Sequence, residues 1–73
     1  MKKMTCKQLG GACAMEFYGA TFEEIAAQSK KHGREMFLEG DVAHLEAMEQ
    51  MRSMNPVAMK HWFDEKRNLF NVL

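Results

Sequence analysis

The chain has 73 residues, 47% of them hydrophobic, and ten Lys+Arg balance ten Asp+Glu for a formal net charge of zero. That composition argues against disorder, removes the main electrostatic drive toward nucleic acid or an anionic membrane, and leaves no apolar run near the ~20 residues that span a bilayer. A chain this short makes one small domain, residues 1–73, with a core that is marginal alone, so a metal, a disulfide or a partner chain would add to its stability.

The opening residues, Met1 to Gln8, are basic but are not followed by an apolar core, so no signal peptide is expected and a cytoplasmic, reducing location is the default. Both cysteines, Cys6 and Cys13, lie in this first stretch with Gly10-Gly11 between them. In a reducing compartment two cysteines are more often free, metal-bound or redox-active than a structural bridge. Met4, Cys6 and Gln8 alternate with Lys3, Thr5 and Lys7, and Cys13, Met15 and Phe17 alternate with Ala14, Glu16 and Tyr18. A period of two is a strand signal, and a glycine pair suits a turn. The pattern predicts a β-hairpin within residues 2–18. Met4, Cys6, Cys13, Met15 and Phe17 share one face of it if Cys6 lies opposite Cys13.

Thr21 with Glu24 three residues on forms a capping box, and Gly40 is a natural stop, which predicts a helix over 22–39. Its apolar stripe is Phe22, Ile25, Ala26, Ser29, Gly33, Met36 and Phe37, with His32 on the edge. Gly33 costs a helix interior roughly 1 kcal/mol relative to alanine, and a close contact, with the hairpin for instance, would justify it. Asp41 can cap a second helix, 41–54, with Val42, Leu45, Met48 and Met51 as its stripe. Asn55-Pro56 marks a break and a restart. The third helix, 56–71, carries Met59, Trp62, Phe63, Leu69, Phe70 and Leu73 along one broad apolar seam. The fold class read from these elements is α+β, an N-terminal hairpin followed by three helices.

Cys6-x-x-Leu9-Gly10-x-x-Cys13, followed by Ala20-Thr21-x-Glu23-Glu24-Ile25, resembles the domain-of-unknown-function 1059 family over about residues 3 to 33. That resemblance implies a small metal-binding protein. The family's motif cysteines fall on Cys6 and Cys13, and a helix histidine falls on His32. Many members carry a second histidine one turn further on, where this chain has Met36 and Phe37, and the shorter members lack residues 41 to 73.

Three readings stay open for the cysteines. Soft thiolates at ~2.3 Å suit tetrahedral zinc, although most zinc hairpins space their cysteines more closely than the six residues intervening here. A reversible disulfide is feasible if the Cα atoms lie within ~7 Å, and free cysteine is also a common small core residue. His32 is the candidate third ligand, with Gln28 or Glu35 available to orient its ring. The fourth ligand would be water, Glu16 or a group from another chain. His44 and His61 read as solvated polar-face residues. Met48-x-x-Met51-x-x-Met54 has the spacing of a thioether site for copper(I), and equally that of a methionine-lined core.

No phosphate-cradling loop is present, since Gly10-Gly11 precedes Ala12-Cys13 rather than Lys-Ser/Thr, and a Cys-His nucleophilic pair lacks an orienting third residue. The leading expectation is a non-enzymatic metal-binding protein holding zinc through Cys6, Cys13 and His32. The competing one is a helical interaction protein, a homodimer through the C-terminal helix with Trp62 and Phe63 near the contact, in which the cysteines pack or form a redox pair.

Overall fold

In a computed structural model that describes all 73 residues, Lys2–Thr5 (β1) and Glu16–Gly19 (β2) form an antiparallel pair, followed by helices Phe22–Glu39 (α1), Val42–Arg52 (α2) and Pro56–Val72 (α3). The α+β architecture is the expected one. The strand register pairs Met4 with Phe17 and Thr5 with Glu16. Two four-residue strands are marginal alone, and α1 covers the face that carries Met4 and Phe17. Met4, Phe17 and Ile25 are the largest fully buried side chains, each contributing about 1.5–3 kcal/mol through burial. Cys6, Leu9, Phe22 and Phe70 complete the apolar core.

The hairpin differs from expectation between its strands. The alternation through Cys6 and Gln8 is not strand: β1 ends at Thr5, and Lys7–Leu9 forms a single 3₁₀ turn. Local hydrogen bonds outcompete the ladder here. Gln8 N–H donates to the Thr5 hydroxyl (3.1 Å) and Thr5 N–H donates to the Gln8 side-chain oxygen (2.8 Å). Gly10 then closes the turn in the left-handed region at φ 85°, a conformation that costs little only without a Cβ. Cys6 therefore does not lie opposite Cys13. Its N–H donates to the Met15 carbonyl (2.8 Å), and Lys7 N–H reaches the Cys13 carbonyl (3.0 Å). Met15, ahead of β2, is exposed rather than on the core face.

The helix starts follow the capping signals. Thr21, Asp41 and Asn55 each accept a backbone N–H from three residues on, and Gly40 ends α1 at φ 72°. α2 stops at Arg52, two residues short of the expected Met54. Of its expected stripe, Val42 is exposed, whereas Leu45, Met48 and Met51 are half-buried. On α1, Phe37 is likewise exposed. On α3 only Phe70 is buried. It meets the Phe22 ring edge-on with centroids 6.0 Å apart, and its carbonyl accepts from the Lys2 ammonium at 2.9 Å. Arg67 of α3 pairs with Glu23 of α1.

Gly33 is not held by the hairpin. A Cβ built there would meet only the Met48 methyl of α2, at an ordinary 3.7 Å. With the space free and the backbone helical, Gly33→Ala is expected to stabilise the fold by up to about 1 kcal/mol. A thermal melt should show it as a rise of several degrees, at roughly 4–8 °C per kcal/mol for a domain of this size.

Candidate metal centre

The loop between the strands folds tightly around the Cys6 sulfur. Leu9 and Gly11 N–H groups both donate to the Cys6 carbonyl, at 3.0 and 2.8 Å. A Cβ on Gly11 would stand 2.1 Å from Cys6 Sγ and 3.0 Å from the Cys6 carbonyl oxygen. Only glycine permits that approach, so the Gly10-Gly11 pair does two separate things: the first residue turns the chain and the second makes room for sulfur. Cys6 is buried and Cys13, where the loop returns, is half-buried; neither is in a disulfide.

Two histidines come to meet them. His32 projects from α1 and packs against Phe17, with ring centroids 5.7 Å apart. His44 projects from the first turn of α2 and stands edge-on to His32 at 5.2 Å. Both rings are buried. His32 Nε2 lies 3.3 Å from Cys13 Sγ, and His44 Nε2 lies 3.6 Å from Cys6 Sγ. The ligand atoms of Cys6, Cys13, His32 and His44 all lie within 4.8 Å of one another. The three expected ligands are thus brought together, and the four residues form a cluster that could bind a metal. In a tetrahedral site with metal–sulfur bonds near 2.3 Å and metal–nitrogen bonds near 2.0 Å, neighbouring donors stand about 3.3–3.8 Å apart. The sulfur–nitrogen separations of 3.3 and 3.6 Å fall in that range.

His44 is where expectation and structure part. It is not a solvated polar-face residue, and it occupies the place considered for water, Glu16 or another chain. Glu16 instead pairs with the Lys3 ammonium (3.0 Å) and accepts from the Tyr18 hydroxyl (2.8 Å) on the exposed side of the hairpin. The physical reason lies in the helix cap. Asp41 Oδ1 accepts the His44 backbone N–H (3.0 Å) and the ring Nδ1–H (2.8 Å). A carboxylate on Nδ1 holds the proton there and leaves the Nε2 lone pair facing the sulfurs, able to accept from a thiol or to ligate a metal, as in the usual support of a metal-bound histidine. The signal that would have found it is Asp41-x-x-His44, an N-cap three residues before a histidine. His61 is exposed, as expected. Gln28 does not orient His32: its amide clasps the Tyr18 backbone, accepting from N–H at 3.2 Å and donating to the carbonyl.

Charge is distributed unevenly over the cluster. Burial pushes the Cys6 thiol up, against the backbone N–H groups of Cys13 and Ala12. Burial also opposes ionisation of Cys13, but the Met15 N–H, His44 and Cys6 outweigh it and hold that thiol below its ordinary range. Asp41 raises the His44 imidazole, and His44 in turn lowers the Asp41 carboxyl.

These directions set a pH window for the metal-free protein. The raised His44 contributes stability that is complete below its unfolded value of 6.5 and is lost as pH rises through the folded value. The lowered Asp41 contributes above its unfolded value of 3.8 and loses it as pH falls through the folded one. Asparagine retains the helix cap but not the charge. Asp41→Asn is therefore expected to lower the melting temperature of the metal-free chain more at about pH 5 than at about pH 9. Equal losses at both would show that the Asp41 charge on His44 plays no part.

Set beside family models, curated proteins and solved structures, the chain matches none, and the chemistry of four converging side chains is what speaks to its role.

Proposed function

We propose that this is a small non-enzymatic metal-binding protein whose Cys6, Cys13, His32 and His44 hold a zinc ion. The observation that carries the reading is the convergence of two sulfur and two nitrogen donors within 4.8 Å, from a loop and two different helices. Two thiolates and two neutral imidazoles suit tetrahedral zinc. Four protein ligands leave no open position, which favours a structural or ion-holding role over zinc-activated hydrolysis. The resemblance of residues 3 to 33 to the domain-of-unknown-function 1059 family points the same way. The alternative for the cysteines, a reversible disulfide, would withdraw both sulfur donors from the ion.

Binding should stabilise the fold, because the donors converge only in the folded chain. A ligand of the native state at a hundredfold excess over Kd adds about 2.7 kcal/mol. For a small domain that corresponds to a rise of roughly 10–20 °C in melting temperature. Reduced protein melted with zinc should show this rise, and a chelator should reverse it. Cys6→Ser or Cys13→Ser should abolish the shift, whereas His32→Ala or His44→Ala should weaken it. Acidification should weaken it as well, since protons compete for thiolate and imidazole. Identical melts with and without zinc in the wild type would refute the reading.

A second surface supports an assembly reading beside this one. A groove of about 390 Å³ between α1 and α3 is lined by Leu9, Phe22, Ala26, Met51, Trp62 and Phe63, and Phe63 is 44% exposed. A short chain gains core by covering such a face with a second copy. Light scattering at high micromolar concentration should then report a dimer, and Phe63→Glu should return it to monomer. A wild type that stays monomeric would remove this reading and leave the metal centre untouched.

A further inference from the structure

The two sulfur donors are also close enough to react with one another. Their Sγ atoms lie within 4.8 Å, and both are free thiols. The backbone ties them side by side, because the N–H of Lys7, next to Cys6, donates to the Cys13 carbonyl at 3.0 Å. A disulfide bond is about 2.0 Å long, so the sulfurs must close the difference. Turning Sγ from one staggered well to another moves it on that scale. The segment that must adjust runs from Cys6 to Cys13 and contains Gly10 and Gly11. The fully buried Met4, Phe17 and Ile25 lie outside it.

The two sulfurs are not equivalent toward solvent. Cys6 is only 4% exposed, with the loop wrapped around it, whereas Cys13 is half-buried. His32 Nε2 stands 3.3 Å from Cys13 Sγ, near enough to pass a proton. A thiol that solvent reaches, poised beside a second that can condense with it, is the arrangement of a redox-sensing pair. Metal binding and disulfide formation compete for the same atoms. A thiolate ligates a metal, and a disulfide takes both sulfurs out of that role, leaving two imidazoles.

We propose that Cys6 and Cys13 make the metal centre peroxide-responsive: oxidation to an intrachain disulfide discharges the ion, and a dithiol reductant restores the site. The proposal rests on the four-residue cluster being a metal site and assigns that site its regulation. In the metal-free chain, Cys13 Sγ bonds to one oxygen of hydrogen peroxide and the O–O bond breaks. The departing hydroxide takes the Cys13 proton and leaves as water. Cys6 Sγ then bonds to the sulfur of the Cys13 sulfenic acid and the S–O bond breaks. That hydroxide takes the Cys6 proton and leaves as a second water. Two thiols have lost two electrons to one peroxide. In the loaded chain the sulfurs are already deprotonated, so solvent supplies both protons. In the return step the reductant gives up two hydrogens and becomes a disulfide itself.

The test uses the full-length reduced chain, loaded with zinc, freed of excess ion and treated with hydrogen peroxide. A chromophoric zinc indicator follows the ion and intact mass spectrometry follows the thiols. Zinc release should keep pace with the appearance of a single-chain species lighter by two hydrogen atoms, one ion per disulfide. Dithiothreitol should restore both thiols and zinc binding. In the metal-free chain, Cys6→Ser should stop at a Cys13 sulfenic acid that dimedone captures, whereas Cys13→Ser should react about tenfold more slowly or less. Cys13→Ser reacting at the rate of Cys6→Ser would overturn the assignment of Cys13 as the attacking sulfur. A wild type that holds zinc but keeps both thiols reduced, that cross-links only between chains, or that retains zinc after the disulfide has formed overturns this proposal alone. A reduced wild type that binds no zinc overturns the metal reading and this proposal with it.

Discussion

The structure depends on how closely the loop after β1 approaches the first turn of α2 and the middle of α1. The strands and α1 would make a plausible half-domain without α2, since Met4, Phe17, Phe22 and Ile25 already pack there. What brings α2 in is His44, packed edge-on to His32 and facing Cys6, together with the half-buried Leu45, Met48 and Met51. The approach is possible because Gly11 has no side chain where Cys6 Sγ sits. Any larger residue at that position must displace either the sulfur or the backbone that carries it.

A cluster of this kind is a poor substitute for an apolar core unless something satisfies it. Buried polar groups in low dielectric stabilise a fold when fully paired and cost heavily when they are not. Only ten of 73 residues are buried, and four of the chemically distinctive side chains lie in or beside that small interior. Thiol–imidazole contacts pair them, and the two thiols differ, with burial pushing Cys6 toward the neutral state while the Met15 N–H, His44 and Cys6 hold Cys13 toward the thiolate. A divalent cation at the centre would remove the conflict, because both sulfurs could then ionise without facing an uncompensated neighbour. The same ion would cross-link residues 6, 13, 32 and 44, spanning the loop and two helices. The small size of the core and the placement of the donors are therefore two aspects of one design.

Much of this was readable in the sequence, and the failures have identifiable causes. Helix starts were legible because Thr21, Asp41 and Asn55 act locally, through bonds to N–H groups three residues away. The Cys6, Cys13 and His32 grouping was legible from thiol and imidazole chemistry on a hairpin and the helix that covers it, and from the family resemblance. The strand pattern misled at Cys6 and Gln8, where alternation of residue types coincided with a 3₁₀ turn stabilised by Thr5 and Gln8. Nothing in a period-two pattern distinguishes those outcomes. His44 was missed for a different reason. On a helical wheel it lies within about 20–40° of Met51 and Met48, so position alone places it beside the expected stripe, and its polar ring is what reads as solvated. The actual rotation of α2 is set by tertiary contacts and leaves Val42 exposed. Sequence periodicity marks a face of a helix, but the partner decides which part of that face is covered. The same limit applied to α3, whose seam is broad enough for more than one partner and of which only Phe70 is buried.

Asp41 shows why helix capping and site chemistry cannot be separated in so short a chain. As N-cap it must offer an oxygen to the backbone N–H of the residue three positions on, and that residue is His44. The oxygen that caps the helix is therefore already within reach of the ring of the same residue, and a single Oδ1 accepts from both. The helix N-terminus by itself disfavours a cationic imidazole, yet the carboxylate prevails and raises His44. In the metal-free state the result is a held proton. Were an ion held at Nε2, the same carboxylate would keep the remaining proton on Nδ1 and fix the ring plane. Moving the histidine by one residue along α2 would retain the cap, the helix and its composition but rotate the ring by about 100°, away from the sulfurs. The position of His44 is thus determined twice, by the geometry of a helix start and by the reach of a carboxylate.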